Sequence, residues 1–454
     1  MIKAGASEIV VTPETSQFLF GYPHVERYSN GVHDDLYSAA LFLDDGTTQI
    51  MFISNDLIFV DKLMSTEIRR EISQQTGIST KNIMITATHT HSGPIMTNYA
   101  SSLNDPIVPK ADVDYLEFAK KKIISVGIAA YQNAEEAIIG MTKADSTGIG
   151  TNRRDPAGPS DHEVPVLAVM NKDRSKYLAC MMVGTMHPTV LHEDSRLISG
   201  DFPGLAKQYL KKNVMGEDCV MLYHSGPCGN QSPRHVVTAT TFAEAERLGV
   251  ILGKAVEKAA ASVVFPENPT LAADNLFVPD LERKIFPTTD QAKTKLNKLL
   301  VKMEQMVEAK APHPEIRTLE CDIFGAEETV TLSELIEKGE LDKYYERSLP
   351  AEIQLLVVGP WKFIGWSGEI FVEYGLAIKK QFENTFVITM ANGEFQGYIV
   401  TPEAAEEGGY EASNSLFTPE AGNSLVRGTE KVLESFSKLE KPNRRFGLII
   451  ENDF

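Results

Sequence analysis

His89 and His91 stand two residues apart in the stretch ITATHTHSGP, where an apolar run meets a Ser-Gly-Pro turn. In an extended chain, residues i and i+2 point to the same side, so both imidazoles can face one cavity. There they could serve as two metal ligands, or as one ligand and one acid/base partner. Burying two neighbouring imidazoles is costly unless something uses them, so the pair predicts a functional site.

Other polar residues follow apolar runs in the same way. His187 stands directly before a proline in GTMHPTVLHEDS, while His224 and Ser232 belong to YHSGPCGNQSPRH. Loops after strand ends are where open α/β sheets usually carry function. A single strand-end histidine is usually a hydrogen-bonding residue, so each of these indicates a site only together with the others. The sequence contains neither the HExxH motif of zinc-binding helices nor the GxSxG motif of α/β-hydrolases.

The elements that must position these residues alternate between strands and helices. Apolar runs rich in β-branched residues predict strands at 49–60, 82–88, 164–170, 177–186, 219–226 and 384–392, and a pair of strands within 352–366. Helical periodicity predicts helices at 61–77, 112–133, 241–262 and 288–309. A further helix is expected after Ser367, with Ser367 as its cap and Glu369 in its first turn.

The helix at 61–77 carries its own start and stop signals. Asp61 is placed to cap it and Gly77 to end it. Leu63, Ile68 and Ile72 are expected to form its buried face.

This alternation predicts an α/β, or layered α+β, architecture of mixed β-sheets flanked by helices. The chain of 454 residues exceeds the usual size of one domain. A proline-containing stretch, FPENPTL, suggests a boundary between two lobes of one catalytic unit, residues 1–265 and 266–454.

Composition excludes some classes of function. The net charge of -18 argues against a nucleic-acid partner, which needs a surface of lysine and arginine. No stretch reaches the roughly 18 apolar residues of a membrane span, so no integral membrane segment is expected. The start of the chain has no signal-peptide pattern, which predicts a cytoplasmic protein, or a secreted or periplasmic one if a leader was removed. Its four cysteines lack CxxC spacing and are expected to be reduced.

A set of ordered motifs resembles the catalytic domain of the neutral, non-lysosomal ceramidases, zinc-dependent amidases that cleave the N-acyl bond of ceramide. The motifs are GVHDDLYSAALFL, THTHSGP, NRRDP, MHPTV, SGDFPG, GNQSP, GWSGEIF and YIVTPEAAEEGGYE, which extend from residue 31 to about residue 413. The resemblance implies the fold of that catalytic domain. The C-terminal immunoglobulin-like domain of full-length members is expected to be absent.

The resemblance implies a Zn²⁺ site made of His89, His187, Glu369 and Tyr398. Two neutral imidazoles, a carboxylate and a phenolic oxygen leave zinc with room for water, which is the open arrangement that hydrolysis needs. The implied reaction is hydrolysis of a C–N amide bond by zinc-activated water.

The resemblance also implies four catalytic residues. Arg153, with Arg154 as the alternative, and Tyr410 would stabilise the developing oxyanion. His91 would carry the proton to the leaving amine. Ser232 would act either as a nucleophile or as the residue that positions water and substrate.

Two departures from the family's motifs leave the substrate open. GNQSPR replaces the family's GDVSPN, and GWSGE replaces its Pro-Gly-Glu approach to the glutamate. The partner is therefore expected to be ceramide, another lipid-like or small amide, a sugar-derived or cyclic amide, or an ester. Two other functions compete: a metal-free serine hydrolase using Ser232 with His224 or His91 as base, and a non-catalytic binding protein on the same fold. The oligomeric state stays open, a homo-oligomer included.

Overall fold

The computed structural model describes residues 2–22 and 24–440. The strands are β1 (Ile2–Val10), β2 (Leu19–Phe20), β3 (Gly31–Val32), β4 (Tyr37–Asp44), β5 (Gln49–Asn55), β6 (Ile83–Ala87), β7 (Gly93–Pro94), β8 (Glu135–Asp145), β9 (Thr151–Asn152), β10 (Glu163–Asn171), β11 (Tyr177–Gly184), β12 (Leu197–Ile198), β13 (Val220–Ser225), β14 (Gln231–Ser232), β15 (Leu271–Val278), β16 (Ala351–Val358), β17 (Trp361–Trp366), β18 (Glu369–Ile370), β19 (Thr385–Ile388) and β20 (Tyr398–Ile399). The α-helices are α1 (Lys62–Thr76), α2 (Val113–Gln132), α3 (Asp201–Leu210), α4 (Phe242–Ala260), α5 (Thr289–Glu308), α6 (His313–Glu337), α7 (Asp342–Ser348), α8 (Val372–Gln381), α9 (Pro402–Glu407), α10 (Tyr410–Ser413) and α11 (Glu420–Glu440).

Two mixed sheets form the centre of the molecule. The larger sheet has the strand order β13-β11-β10-β8-β1-β4-β5-β6, and the smaller has the order β15-β16-β17-β19. In the larger sheet only the pairs β5/β6 and β11/β13 are parallel. The strands β5 and β6 are buried almost throughout, which is typical of strands covered on both faces.

The two sheets pack face to face through one apolar core. Phe52 of the larger sheet meets Phe363 of the smaller one with ring centroids 5.5 Å apart. Helices α1, α2, α3 and α4 cover the outer face of the larger sheet, while α8 and α11 cover the smaller. The result is a helix–sheet–sheet–helix arrangement, and the predicted mixed sheets flanked by helices are confirmed. Along the chain, the last strand of the larger sheet ends at Ser225 and the first strand of the smaller sheet begins at Leu271. The boundary between two lobes at residue 265 stays a prediction.

The first helix forms as its capping residues predict. Asp61 Oδ1 accepts the backbone N–H of Met64 at 2.7 Å, and Gly77 ends the helix with φ of 78°. Ile68 and Ile72 are buried, but Leu63 is 70% exposed, so its predicted burial is wrong. The buried stripe begins one residue later, at Met64, because each residue turns the helix by about 100°.

Two predicted strands are shorter than expected. The strand expected at 49–60 ends at Asn55, where the N–H of Leu57 donates to the Asn55 carbonyl and turns the chain. The strand expected at 384–392 ends at Ile388, because the N–H of Thr389 donates to the Ser225 carbonyl at 2.7 Å. In both places a hydrogen bond redirects the backbone before the apolar run ends.

No helix in the described part of the chain is long and apolar enough to cross a membrane. The four cysteines are free thiols, and Cys180, Cys219 and Cys228 are buried.

A buried ion pair joins α1 to the smaller sheet. Arg69 donates from Nη1 and Nη2 to the Glu352 carboxylate at 2.7 and 3.0 Å. Burial alone would raise the pKa of Glu352, but the hydrogen bonds and charge of Arg69 hold that pKa below its usual value. The pair therefore stabilises the fold above the unfolded-state pKa of about 4.3, and the contribution is lost as pH falls through the lower folded-state value.

We expect Glu352→Gln to lower the free energy of unfolding by about 3–5 kcal/mol at pH 7, because Arg69 would become an unpaired buried charge. Urea denaturation measures this loss. Glu71→Gln is the matched control, since its partner Arg70, at 3.3 Å, is exposed on the same helix. An exposed pair contributes about 0–1 kcal/mol, so equal effects of the two variants would contradict the prediction.

Candidate metal centre and active site

The site forms where the two edge strands of the larger sheet meet. Thr86 of β6 and His224 of β13 share a hydrogen bond of 2.7 Å, and Ser225 Oγ donates to the Thr88 carbonyl at 2.9 Å. The loops after these strands therefore lie side by side, although β6 and β13 stand at opposite ends of the sheet order. Burial lowers the pKa of His224 to about 3, with the charge of Lys207 acting in the same direction.

Three imidazoles and one carboxylate converge in this place. His89 Nε2 lies 3.1 Å from His187 Nε2 and 3.3 Å from His91 Nε2. Glu369 Oε2 lies 3.1 Å from His187 Nε2 and 3.3 Å from His89 Nε2. All four side chains are buried. We call these four residues the histidine–glutamate cluster.

A left-handed turn, rather than strand alternation, brings the two neighbouring histidines together. The strand β6 ends at Ala87, and His89 adopts φ of 66°. This conformation is uncommon outside glycine and is strained for a histidine, as is often seen at functional sites. The expectation that both histidines face one cavity therefore holds for a different reason from the one that the i, i+2 pattern suggests.

Backbone carbonyls orient two of the imidazoles. His89 Nδ1 donates to the Ile58 carbonyl at 3.0 Å, and His187 Nδ1 donates to the Cys228 carbonyl at 2.6 Å. Because a carbonyl can only accept, each Nδ1 carries the proton and each Nε2 turns a lone pair toward the cluster. His91 Nδ1 is buried without a hydrogen-bond partner among the described residues.

This arrangement fits a small divalent cation. Two lone-pair nitrogens and a carboxylate oxygen within 3.3 Å repel one another unless a positive charge lies between them. A tetrahedral zinc ion with ligands at about 2.0–2.1 Å has ligand–ligand edges of about 3.3 Å, close to the observed separations. The ligand atoms of His89, His91 and His187 all lie within 4.8 Å of one another, so all three histidines can be ligands of one ion.

The pKa shifts of His187, His91 and Glu369 favour the forms that bind metals. Burial lowers the pKa of His187 to about 4, although its hydrogen bond to Glu369 opposes this shift. Burial likewise holds the pKa of His91 well below its usual value. Burial would raise the pKa of Glu369, but His89 and His187 outweigh it and hold the pKa well below the ordinary value. Neutral imidazoles and an ionised carboxylate are the forms that bind metals.

A short parallel strand pair places Glu369 beside Tyr398. Strand β18 pairs with β20 so that these two residues are direct neighbours in register. The predicted helix around Glu369 is wrong, because α8 begins only at Val372 and Ser367 Oγ donates to the Ala391 carbonyl instead of capping a helix. Gly397, directly before Tyr398, has φ of 128°. A Cβ atom on Gly397 would lie 1.8 Å from the Asn414 carbonyl oxygen, so only glycine fits at this position.

Arg153 is the arginine that faces the predicted ligands. Its Cζ lies 5.2 Å from the centroid of the Tyr398 ring, and its Nη2 is buried without a hydrogen-bond partner in the described chain. Burial would lower the pKa of Arg153, but Tyr398 and Glu411 outweigh it and raise that pKa. Arg154 instead reaches toward the surface, where Nη2 donates to Glu407 at 2.8 Å.

Glu411 is a site residue that sequence reasoning missed. Its two carboxylate oxygens accept from Arg153 Nε at 2.7 Å and from Arg154 Nη1 at 2.9 Å. The sequence offered one signal for it. Glu411 is an acidic residue directly after Tyr410 in one motif, and the motif NRRDP contains two consecutive arginines that need an acidic partner. Glu411 fixes the orientation of Arg153.

Ser232 is linked to His187 only through Thr189, and among the described residues its hydroxyl makes no hydrogen bond to a base. Its Oγ accepts the N–H of Arg234 at 3.2 Å and lies 3.4 Å from Thr189 Oγ1. The N–H of Thr189 in turn donates to the His187 carbonyl. Neither partner of the Ser232 hydroxyl can remove its proton, so these contacts suit positioning better than nucleophilic attack.

A small cavity of about 40 Å³ opens over the cluster. Its lining includes five of the eight predicted site residues, His89, His91, Glu369, Tyr398 and Tyr410. The other three predicted site residues, His187, Arg153 and Ser232, do not line this cavity. One side of the cavity is apolar, and is formed by Phe20, Ile58 and Phe59.

Comparison with known proteins places this geometry in context. The family described as neutral/alkaline non-lysosomal ceramidase, N-terminal, matches residues 3–245. The neutral ceramidase of Mycobacterium tuberculosis is 26% identical over 246 residues, which cover 48% of this chain and 37% of that protein. The chain therefore spans little more than a third of the length of that relative.

Two solved structures resemble the whole fold. The neutral ceramidase from Pseudomonas aeruginosa has a TM-score of 0.73 at 16% identity, covering 94% of this chain and 73% of that one. A ceramidase complexed with C2 has a TM-score of 0.73 at 15% identity, covering 96% and 75%. At these identities the likeness establishes the fold, which agrees with the layered sheets described above.

Proposed function

The chain belongs to the neutral/alkaline non-lysosomal ceramidase family, and from this premise we propose that it hydrolyses the C–N bond of an N-acyl amide with the help of zinc. One observation carries the proposal: the convergence of three imidazole nitrogens and the Glu369 oxygen in the histidine–glutamate cluster. His89, His187, Glu369 and Tyr398 would hold the ion, with His91 close enough to join them. Bound there, zinc would supply a Lewis acid that acidifies water and polarises an amide carbonyl.

The side chains around the cluster divide the remaining tasks. The carbonyls of Ile58 and Cys228 hold His89 and His187 in the tautomer that presents Nε2. Glu369 supplies the negative charge that balances a cation in a buried place. The apolar wall of the cavity limits the entry of bulk water, which strengthens electrostatic interactions inside.

Arg153 and Tyr410 can stabilise the charge that develops on the carbonyl oxygen of the substrate. The free Nη2 of Arg153 is a preorganised donor, because Glu411 holds the guanidinium at Nε. The Tyr410 hydroxyl is a second donor at the cavity wall, held near Asn414 Nδ2 at 3.4 Å.

His91 is suited to move a proton to the leaving amine. Its Nδ1 has no hydrogen-bond partner among the described residues. His91 also lines the cavity in which the leaving amine would be released. Ser232 then positions water and substrate from the side of Thr189. The metal-free serine mechanism would require a base beside Ser232, which its hydrogen bonds do not supply.

The test is turnover of a short-chain N-acyl amide by the full chain before and after removal of metal. We expect a chelator to abolish release of the acid and added zinc to restore it. Full activity in metal-free protein, or a covalent acyl group on Ser232 found by mass spectrometry under those conditions, would contradict the proposal. Zinc bound without turnover of any amide or ester would instead support a binding protein.

A further inference from the structure

The cavity over the cluster has one acidic wall, formed by Glu328 of α6. The side chain of Glu328 is only 1% exposed and lines the same cavity as His89 and Glu369. Glu328 lies outside the residues that the family matches. None of the roles proposed above uses this carboxylate.

The two carboxylate oxygens of Glu328 face different partners among the described residues. Its Oε2 accepts from Asn414 Nδ2, which also lies near the Tyr410 hydroxyl. Its Oε1 faces His24 Nε2 at 3.6 Å, which is longer than a hydrogen bond. His24 is already engaged on its other side, where Nδ1 lies 2.6 Å from Asp105 Oδ2.

Two buried carboxylates face a single imidazole at this wall. Glu328 and Asp105 are 1% and 2% exposed, and they share the single imidazole of His24. A third carboxylate, that of the more exposed Glu327, lies 3.6 Å from the same ring. Burial raises the pKa of Glu328, because its negative charge is costly in this place. With both buried carboxylates ionised and His24 protonated, one negative charge is left without a compensating positive charge. A cation brought by the ligand would compensate it.

The rest of the cavity restricts what that ligand can be. The lining also contains two polar residues, Ser101 and Ser102, besides the apolar Phe20, Ile58 and Phe59. The volume of about 40 Å³ is far below the roughly 300–1,000 Å³ of cavities that enclose drug-sized ligands. A compact polar group fits this space better than an alkyl chain.

We propose that Glu328 is a specificity-determining residue that binds a positively charged amino group on the amine half of a small amide substrate. The acyl half would then lie against the apolar side, with the scissile bond over the histidine–glutamate cluster. This inference rests on the proposed amide hydrolysis and names the class of substrate. Ceramide, whose amine half carries no positive charge, would be a poor substrate.

Three acetamides of matched length test the inference with the zinc-loaded full chain. They are N-acetyl-1,3-diaminopropane, N-(3-hydroxypropyl)acetamide and N-butylacetamide, which end in a cation, a hydroxyl and a methyl group. We expect kcat/KM for the cationic amide to exceed that of the other two by about 10- to 100-fold, the range for one charge-assisted hydrogen bond. In Glu328→Gln, which keeps the acceptor for Asn414 but removes the charge, this preference is expected to vanish while N-butylacetamide is unaffected.

Glu315→Gln is the matched control, because Glu315 is exposed in the first turn of the same helix. It is expected to keep the preference. Equal kcat/KM for the three amides, a preference for a neutral amide, or an unchanged preference in Glu328→Gln would overturn the inference.

A binding measurement separates this inference from the proposed function. By calorimetry at pH 7, the zinc-loaded wild type is expected to bind propylammonium at least about 10-fold more tightly than Glu328→Gln does. The two proteins are expected to bind 1-propanol with equal affinity. If no amide is hydrolysed but this difference holds, the proposed function fails and the cation subsite stands. If a neutral amide is hydrolysed with zinc and this difference is absent, the subsite fails alone.

Discussion

Replacing Glu369 with glutamine is expected to lower kcat/KM for an N-acyl amide by at least about 10³-fold, the largest effect of any single substitution considered. Glu369 is the one carboxylate in the histidine–glutamate cluster, with Oε2 at 3.1 Å from His187 Nε2 and 3.3 Å from His89 Nε2. Glutamine keeps the shape of the side chain but removes the charge that balances a bound cation. Zinc affinity is therefore expected to fall together with activity.

The measurements are turnover and metal content of the same preparation. Glu383→Gln is the matched control, because Glu383 is exposed after α8 and lies outside the cavity lining. It is expected to match the wild type in both. A Glu369→Gln protein that keeps its metal and most of its activity would show that this carboxylate is not a ligand.

The second large effect is expected for Arg153→Gln, with a fall in kcat of about 10²–10³-fold, as for the loss of one oxyanion donor. The buried Nη2 of Arg153 has no hydrogen-bond partner in the described chain, and in the proposed reaction it would donate to the carbonyl oxygen of the substrate. Glu411 would not be left as an unpaired charge in this variant, since Arg154 Nη1 still donates to it at 2.9 Å. Zinc content is expected to stay unchanged, which separates this role from metal binding.

Arg154→Gln provides the comparison, because the two arginines are neighbours that share Glu411. Arg154 points toward Glu407 and the surface, so its loss is expected to change kcat by less than about 3-fold, as for a partly exposed ion pair. A larger loss of kcat in Arg154→Gln than in Arg153→Gln would reverse the assignment of the two residues.

The candidate site could be outlined from sequence because its residues follow apolar runs or stand in ordered motifs. His89, His91 and His187 come soon after β6 and β11, and their Nε2 atoms converge in the structure. The pairing that makes them converge is not local. It depends on contacts such as the hydrogen bond between Thr86 and His224, which no periodicity along the chain encodes.

Errors arose where a local signal competed with a distant contact. Ser367 has the type and position of a helix cap, but its hydroxyl donates to the Ala391 carbonyl, 24 residues away. Glu369 then pairs in β18 with a strand that follows almost 30 residues later, so the helix begins only at Val372. Strand pairing of this kind is decided by tertiary structure rather than by propensity.

Glu328 illustrates what a single sequence does not reveal. It stands next to another glutamate, Glu327, in a helix where both would be expected to face solvent. The side chain of Glu327 is 40% exposed, whereas that of Glu328 is 1% exposed. Only the packing of α6 against the cavity shows which carboxylate is buried and what it faces.

Zinc content tests the central claim most directly. The full chain, purified without added metal and analysed by native mass spectrometry, is expected to carry one zinc ion per chain, and His187→Ala is expected to carry none. His33→Ala is the matched control, since His33 is an exposed histidine outside the cluster, and it should keep the ion. Wild-type protein that hydrolyses amides without bound metal, or a His187→Ala protein that keeps its zinc, would contradict the account.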